Sequence, residues 1–237
     1  FSLLKKLKLV SACGTSGDDA QYLLKEALAY KIFNLLTDKS FRVRIAYVTY
    51  KDTKGKTRTY TQPGFFIEDV DAVAKRNKCK QVEGQMIYQE QSNREQMTLV
   101  CLFEYLIANA DWSVPGNHNI KLIRPSKDTT AKVIAVPYDF DYSGMVNTPY
   151  AIPPDILSIS SVRERAYRGF PRTMEELKAV IGLFNQKKED IKNLVMNFEG
   201  LTKSTKNETW EYLEEFFNLI QKDNKVKEIF IDNARTR

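Results

Sequence analysis

Asn109-Ala-Asp-Trp-Ser-Val-Pro-Gly-Asn-His-Asn119 and, after a short apolar run, Val136-Pro-Tyr-Asp-Phe-Asp-Tyr-Ser-Gly144 form the stretch around which this chain is arranged. An apolar helical run at 97–108 leads into it. Short strands at 120–123 and 132–136 make a hairpin between the two loops. Asp111, Asp139 and Asp141 are thereby concentrated with the amides of Asn117 and Asn119. Carboxylate plus amide oxygen is the ligand set that hard divalent cations prefer. Loops held by rigid elements are also where chemistry tends to sit. The rest of the chain reads as a platform for these two loops.

Upstream, residues 3–10 alternate, with Lys6 and Lys8 on one face and Leu7 and Leu9 on the other, which predicts a strand. A loop with two glycines follows, and Asp18 or Asp19 can cap a helix running to about Leu36. That helix carries the stripe Leu23, Leu24, Ala27, Leu28, Ile32, Leu35, with Glu26 beside it. Residues 41–50 and 57–68 read as a hairpin around Gly55, with Pro63-Gly64 suggesting a bulge or loop in its second arm. A short helix at 69–76 and a polar connection at 78–91 follow. Downstream, 161–168 is basic and predicted helical, and Thr173-Met-Glu-Glu176 is a capping box opening a helix. A further amphipathic helix spans 210–220. The fold class expected is α+β, with a small mixed N-terminal lobe at 1–75 and a mostly helical lobe at 76–237.

With 43% hydrophobic residues the chain can bury a core, and no apolar run is long enough for a membrane span. A net charge of +6 is spread along the sequence. It suits an anionic ligand such as a nucleotide, but no aromatic-basic stacking motif argues for nucleic acid. Cys13, Cys79 and Cys101 make neither a metal knuckle nor a disulfide framework. Position 1 is Phe, so the chain reads as trimmed at its start.

Phosphoryl transfer needs a lysine on the phosphates and a carboxylate to hold that lysine. It also needs a carboxylate and an amide on magnesium, and an Asp at the acceptor hydroxyl. This chain presents those parts in the order of the protein-kinase fold, without His-Arg-Asp, Asp-Phe-Gly or a Gly-rich phosphate loop. The segment 3–144 resembles the atypical kinases of the spore-coat CotH type, and more distantly HipA and the secreted Golgi kinases. The resemblance rests on Lys8, the helix after Asp18, Asn109-Ala-Asp111 with Asn117 and Asn119, and Pro137-Tyr-Asp-Phe-Asp141. It implies a two-lobed, ATP- and Mg²⁺- (or Mn²⁺-) dependent phosphotransferase acting on a protein or small-molecule hydroxyl. The alternative is a pseudokinase, a nucleotide-binding interaction module without turnover.

Carried over, Asp111 is the catalytic-loop aspartate, Asn119 or else Asn117 the amide metal ligand, and Asp139 the principal metal ligand. Asp141 is a second ligand or an orienting group. Lys8, or Lys6 on the same face, contacts the phosphates and pairs with Glu26. Phe66, Ile67 and Glu68 lie at the hinge where adenine would rest. The interval from Asp111 to Asn119 is longer than in ordinary protein kinases. Read singly, the same residues are ordinary. Asp-x-Asp is common turn chemistry, alternate lysines protect edge strands, and a mid-helix Glu is usually solvated. His118, the only histidine, reads as a structural hydrogen-bonder.

Overall fold

The computed structural model describes residues 8–12, 14 and 16–236. Lys6 and Cys13 lie outside them. The architecture is α+β, and among the described residues there are two three-stranded antiparallel sheets and six α-helices. Strand β1 (Lys8–Ser11), helix α1 (Gly17–Leu36), β2 (Val43–Tyr50) and β3 (Tyr60–Ile67) make the first unit, with β3 central. Helix α2 (Val70–Arg76) leads to β4 (Cys79–Val82). Strand β4 pairs with β5 (Ile120–Pro125), which pairs with β6 (Ile134–Pro137). Helix α3 (Arg94–Leu106) precedes β5. Helices α4 (Met174–Met196), α5 (Lys203–Leu219) and α6 (Asp223–Lys227) close the chain with a π-helical turn at Glu228–Asp232.

The N-cap of α1 is Ser16, not Asp18 or Asp19. Its hydroxyl accepts the Asp19 amide while the Asp19 carboxylate accepts the Ser16 amide, a capping box in which Asp replaces the usual Glu. Helix α1 is buried on nearly all sides from Leu23 to Tyr30, well beyond the predicted stripe. The cause is its central position: Tyr30 packs on Phe65 of β3 and on Phe140, and Phe33 on Phe103 of α3. One continuous cluster of buried residues includes α1, both sheets and α3 to α6.

Strand β3 runs unbroken through Pro63 and Gly64, paired in register with β2, so there is no bulge there. Pro63 is tolerated because β1 ends opposite Gly64, leaving the β1-side edge of β3 open beyond it. Gly64 itself needs to be small, since a Cβ would press on the Val10 carbonyl oxygen.

The connection at 78–91, polar in sequence, contains strand β4, in which only Cys79 is buried. The basic segment 161–168 is not helical. Its arginines act as braces instead. Arg165 reaches the Leu106 and Tyr212 carbonyls and the Glu215 carboxylate, and Arg168 donates to the Ala110 carbonyl. The Thr173–Glu176 capping box forms as expected and opens α4, which continues without a break to Met196.

Candidate functional site

Helix α1 and the loop after β6 are bound by side chains from two successive turns of α1. Tyr30 accepts the Asp139 amide at 2.7 Å, Glu26 accepts from the Phe140 amide, and Lys25 donates to the Val146 carbonyl. Phe140 is wholly buried against Tyr30 and Phe103, which turns Asp139 and Asp141 away from the core. Asp139 has φ +64°, a left-handed conformation that Asp and Asn tolerate better than other side chains. Close packing fixes the far end of this loop: a Cβ at Gly144 would clash with the Val162 carbonyl.

Glu26, Asp139 and Asp141 line one cavity of about 120 Å³, together with Asp19, Thr148 and Tyr150. Burial pushes the Glu26 carboxyl well above the usual carboxylate range, and the charges of Asp139 and Asp141 push it further. Burial and then the neighbouring Asp141 charge raise Asp139 as well. Lys8 opposes both shifts. It lies opposite Ile67, and two residues from Val10 opposite Phe65, so it stands on the sheet face that packs on α1. Because β1 is an edge strand, Lys8 is nonetheless exposed. The expected Lys8–Glu26 contact pair is not among the ion pairs of the described residues; Lys8 acts on Glu26 through space. Glu26 is 6% exposed, so the reading of a solvated mid-helix glutamate does not hold.

The second loop is built around Asp111. Its Oδ1 lies 2.8 Å from His118 Nε2, and its Oδ2 accepts from Asn119 Nδ2 at 3.1 Å. The same Asn119 nitrogen donates to the Asp111 carbonyl, which leaves Oδ1 of the amide as the oxygen that could meet a cation. Asn119 is buried, whereas Asn117 sits exposed on the turn; both have positive φ. Asp111 raises the Asp139 carboxyl through space, so the two loops face each other electrostatically. Neither Asp111 nor Asn119 lines the cavity.

Three hinge residues are placed differently from expectation. Phe66 and Ile67 lie inside β3 and pair with both β1 and β2, so they are not a hinge segment following the strand. Glu68 accepts from the Arg42 amide and pairs with Arg76 at 2.9 Å. None of the three lines the cavity. Among the described residues no three His, Cys, Asp or Glu side chains are set to hold a metal ion. The carboxylates of Glu26, Asp139 and Asp141 are nonetheless of the right chemistry, and their mutual repulsion is what a divalent cation would relieve.

Sequence reading missed Tyr30, one turn after Glu26, and Tyr150, whose hydroxyl donates to Asp141 Oδ2 at 2.9 Å. It also missed Glu104. This α3 residue is 1% exposed, and both its oxygens and the nearby Asn109 Nδ2 lack a protein hydrogen-bond partner of good geometry. Burial holds its carboxyl well above the ordinary value of 4.5. A carboxyl raised in the folded state stabilises fully below its unfolded pKa, and that contribution is lost as pH rises through the folded one. Glu104→Gln, neutral and of the same shape, escapes this loss. The melting temperature of the variant is expected to match wild type near pH 4 and to exceed it by several degrees near pH 8, since about 1 kcal/mol moves it ~2–4 °C in a chain of this size. Equal melting curves at both pH values would mean that Glu104 carries no charge cost.

No protein-family model and no curated protein matches the chain.

Proposed function

We propose that the protein is a two-lobed, kinase-like phosphotransferase using a nucleoside triphosphate, ATP by resemblance, and Mg²⁺ or Mn²⁺. The observation that carries this reading is the convergence of Glu26, Asp139 and Asp141 on one small cavity, with Lys8 on the facing sheet. Crowded carboxyls raised by one another's charge are costly unless a cation joins them. In this reading Asp139 and Asp141, with the Asn119 amide oxygen, hold the metal. Lys8 meets the phosphates, with Glu26 behind it. The metal supplies charge neutralisation at the transferring phosphoryl group. Asp111, across from Asp139, serves the acceptor hydroxyl of a protein or small molecule. A cavity of about 120 Å³ takes the phosphate end, and the base lies outside it.

The unfinished ligand geometry favours a second reading, a pseudokinase that binds nucleotide without turnover. No helix among the described residues is long and apolar enough to cross a bilayer.

A thermal-shift panel of ATP, ADP and GTP, each with Mg²⁺, Mn²⁺ or EDTA, tests the reading. A ligand that binds only the native state at 100 times its dissociation constant stabilises by about 2.7 kcal/mol. A rise with ATP and Mg²⁺ that EDTA removes is the expected result. No rise with any nucleotide and metal contradicts it. Phosphate transfer by the same sample separates the kinase from the pseudokinase.

A further inference from the structure

Segment 85–91, the end of β5 and Val133 enclose a second depression of about 500 Å³. It shares no residue with the cavity of Glu26, Asp139 and Asp141. Its buried floor is Ile87 and Val133, and Gln85, Met86, Gln91 and Arg124 complete the lining. The frame is tied down on two sides. The Asn93 amide donates to the Val133 carbonyl at 2.6 Å, and the Gln89 side chain donates to the Arg168 carbonyl at 3.1 Å.

Of the described arginines that are buried or part-buried, Arg76, Arg163, Arg165, Arg168 and Arg172 each reach a carboxylate or a backbone carbonyl. Arg124 is part-buried too, yet no group among the described residues meets its guanidinium, and its Nε is buried without a hydrogen-bond partner. A cation drawn out of water without a counter-charge is costly, and an anion from outside relieves that cost. No carboxylate lines the depression, and Lys80, directly across from Arg124 on β4, adds a second cation to the same sheet face. The Gln91 amide oxygen accepts from the Tyr88 backbone at 2.8 Å, which leaves its NH₂ as a fixed donor. Beside these polar groups Met86 is 70% and Tyr88 53% exposed, with the Tyr88 hydroxyl 3.4 Å from the Met86 sulfur. Arginine, methionine and aromatic side chains are the residue types enriched where proteins meet.

We propose that this depression docks a partner protein through an acidic side chain flanked by apolar residues. The inference stands apart from the phosphotransferase reading. The partner's carboxylate meets the Arg124 fork, a geometry that guanidinium matches better than ammonium. The free Gln91 NH₂ offers a further donor, and the partner's apolar neighbours cover Met86 and Tyr88. Arg124 is the single cation in the lining, the amides beside it are neutral, and Lys80 lines a different depression. That charge matches one carboxylate rather than a doubly charged phosphate.

The test uses an array of blocked peptides whose central residue is glutamate, glutamine or phosphoserine and whose neighbours vary over apolar residues. Binding is measured for wild type, Arg124→Met and Arg124→Lys, with the melting temperature of each. Wild type is expected to bind glutamate peptides about 10-fold or more tighter than their glutamine and phosphoserine counterparts, the scale of a hydrogen bond to a charged group. Arg124→Met keeps the aliphatic stem and removes a donor that has no partner, an exchange that is neutral or stabilising when the shape is kept. It is therefore expected to melt no lower than wild type while losing the preference for glutamate. Arg124→Lys keeps the charge without the fork and is expected to fall between them. No binding of any glutamate peptide to wild type, equal binding of glutamate and glutamine peptides, or unchanged binding in Arg124→Met would overturn the proposal. Tighter binding of phosphoserine would replace the carboxylate with a phosphate and overturn it as well. An Arg124→Met variant that melts well below wild type would place the guanidinium in the service of the fold, against the proposal. The contrast between glutamate and glutamine on wild type depends on no variant.

Discussion

Asp139→Asn is expected to abolish metal-dependent nucleotide binding while leaving the free protein at least as stable as wild type. The two halves of this expectation come from one geometry. Asp139 sits at φ +64°, and Asn is among the few side chains that accept a left-handed backbone, so the loop keeps its path. The Asp139 amide still donates to Tyr30. The amide side chain is uncharged, which removes the repulsion that raises Glu26 and relieves the burial cost at position 139 itself. A carboxyl raised in the fold loses its stabilising contribution as pH climbs, so the gain from Asn grows from acid toward neutral pH. The cation, by contrast, loses a charged oxygen ligand, and a hard divalent ion depends on that charge. Melting curves of the free protein at pH 5 and pH 8, with Mg·ATP titrations of both proteins, measure the two effects. Unchanged Mg·ATP affinity removes Asp139 from the site.

Asp111→Ala is expected to lower turnover by about 10²–10⁴-fold while Mg·ATP affinity changes little. The side chain is partly exposed, and its loss leaves Asn119 still bonded to the Asp111 backbone carbonyl. The loop therefore survives the substitution. In the proposed phosphotransferase the carboxylate would act only on the acceptor side, where charge shifts as the phosphoryl group transfers. An interaction made mainly in the transition state appears in the rate and not in ground-state binding. Matching losses of rate and affinity would instead place Asp111 among the groups that hold the nucleotide.

The elements of this fold were legible where local chemistry decides them. The apolar run of α3, the β2–β3 hairpin and the Thr173–Glu176 box carry their own signals, and each forms at or within a few residues of its predicted place. Strand β4 was not legible, because what makes Cys79–Val82 a strand is pairing with residues of β5 forty or more positions later. The arginines of 161–168 mimic a basic helix, yet their partners are carbonyls and carboxylates on α3, the following loop and α5, which no local pattern reports. In the candidate site, Glu26, Asp139 and Asp141, singled out from the order of the sequence, line one cavity. That order could not show that Tyr30 grips the same loop, that Glu104 is buried without a hydrogen bond of good geometry, or that His118 folds back on Asp111. Those depend on the third dimension: on a helix face turned inward and on a nine-residue hairpin from Asp111 to Asn119.

The proposed function requires a cation-dependent nucleotide site between Lys8, Glu26 and the Asp139–Asp141 loop. Calorimetric titration of ATP into wild type, with Mg²⁺ and then with EDTA, tests it most directly, with Asp139→Asn as the control. Binding with Mg²⁺ that vanishes in EDTA and in Asp139→Asn is the predicted result. Absence of binding in Mg²⁺, or binding that is indifferent to both EDTA and the substitution, would contradict it.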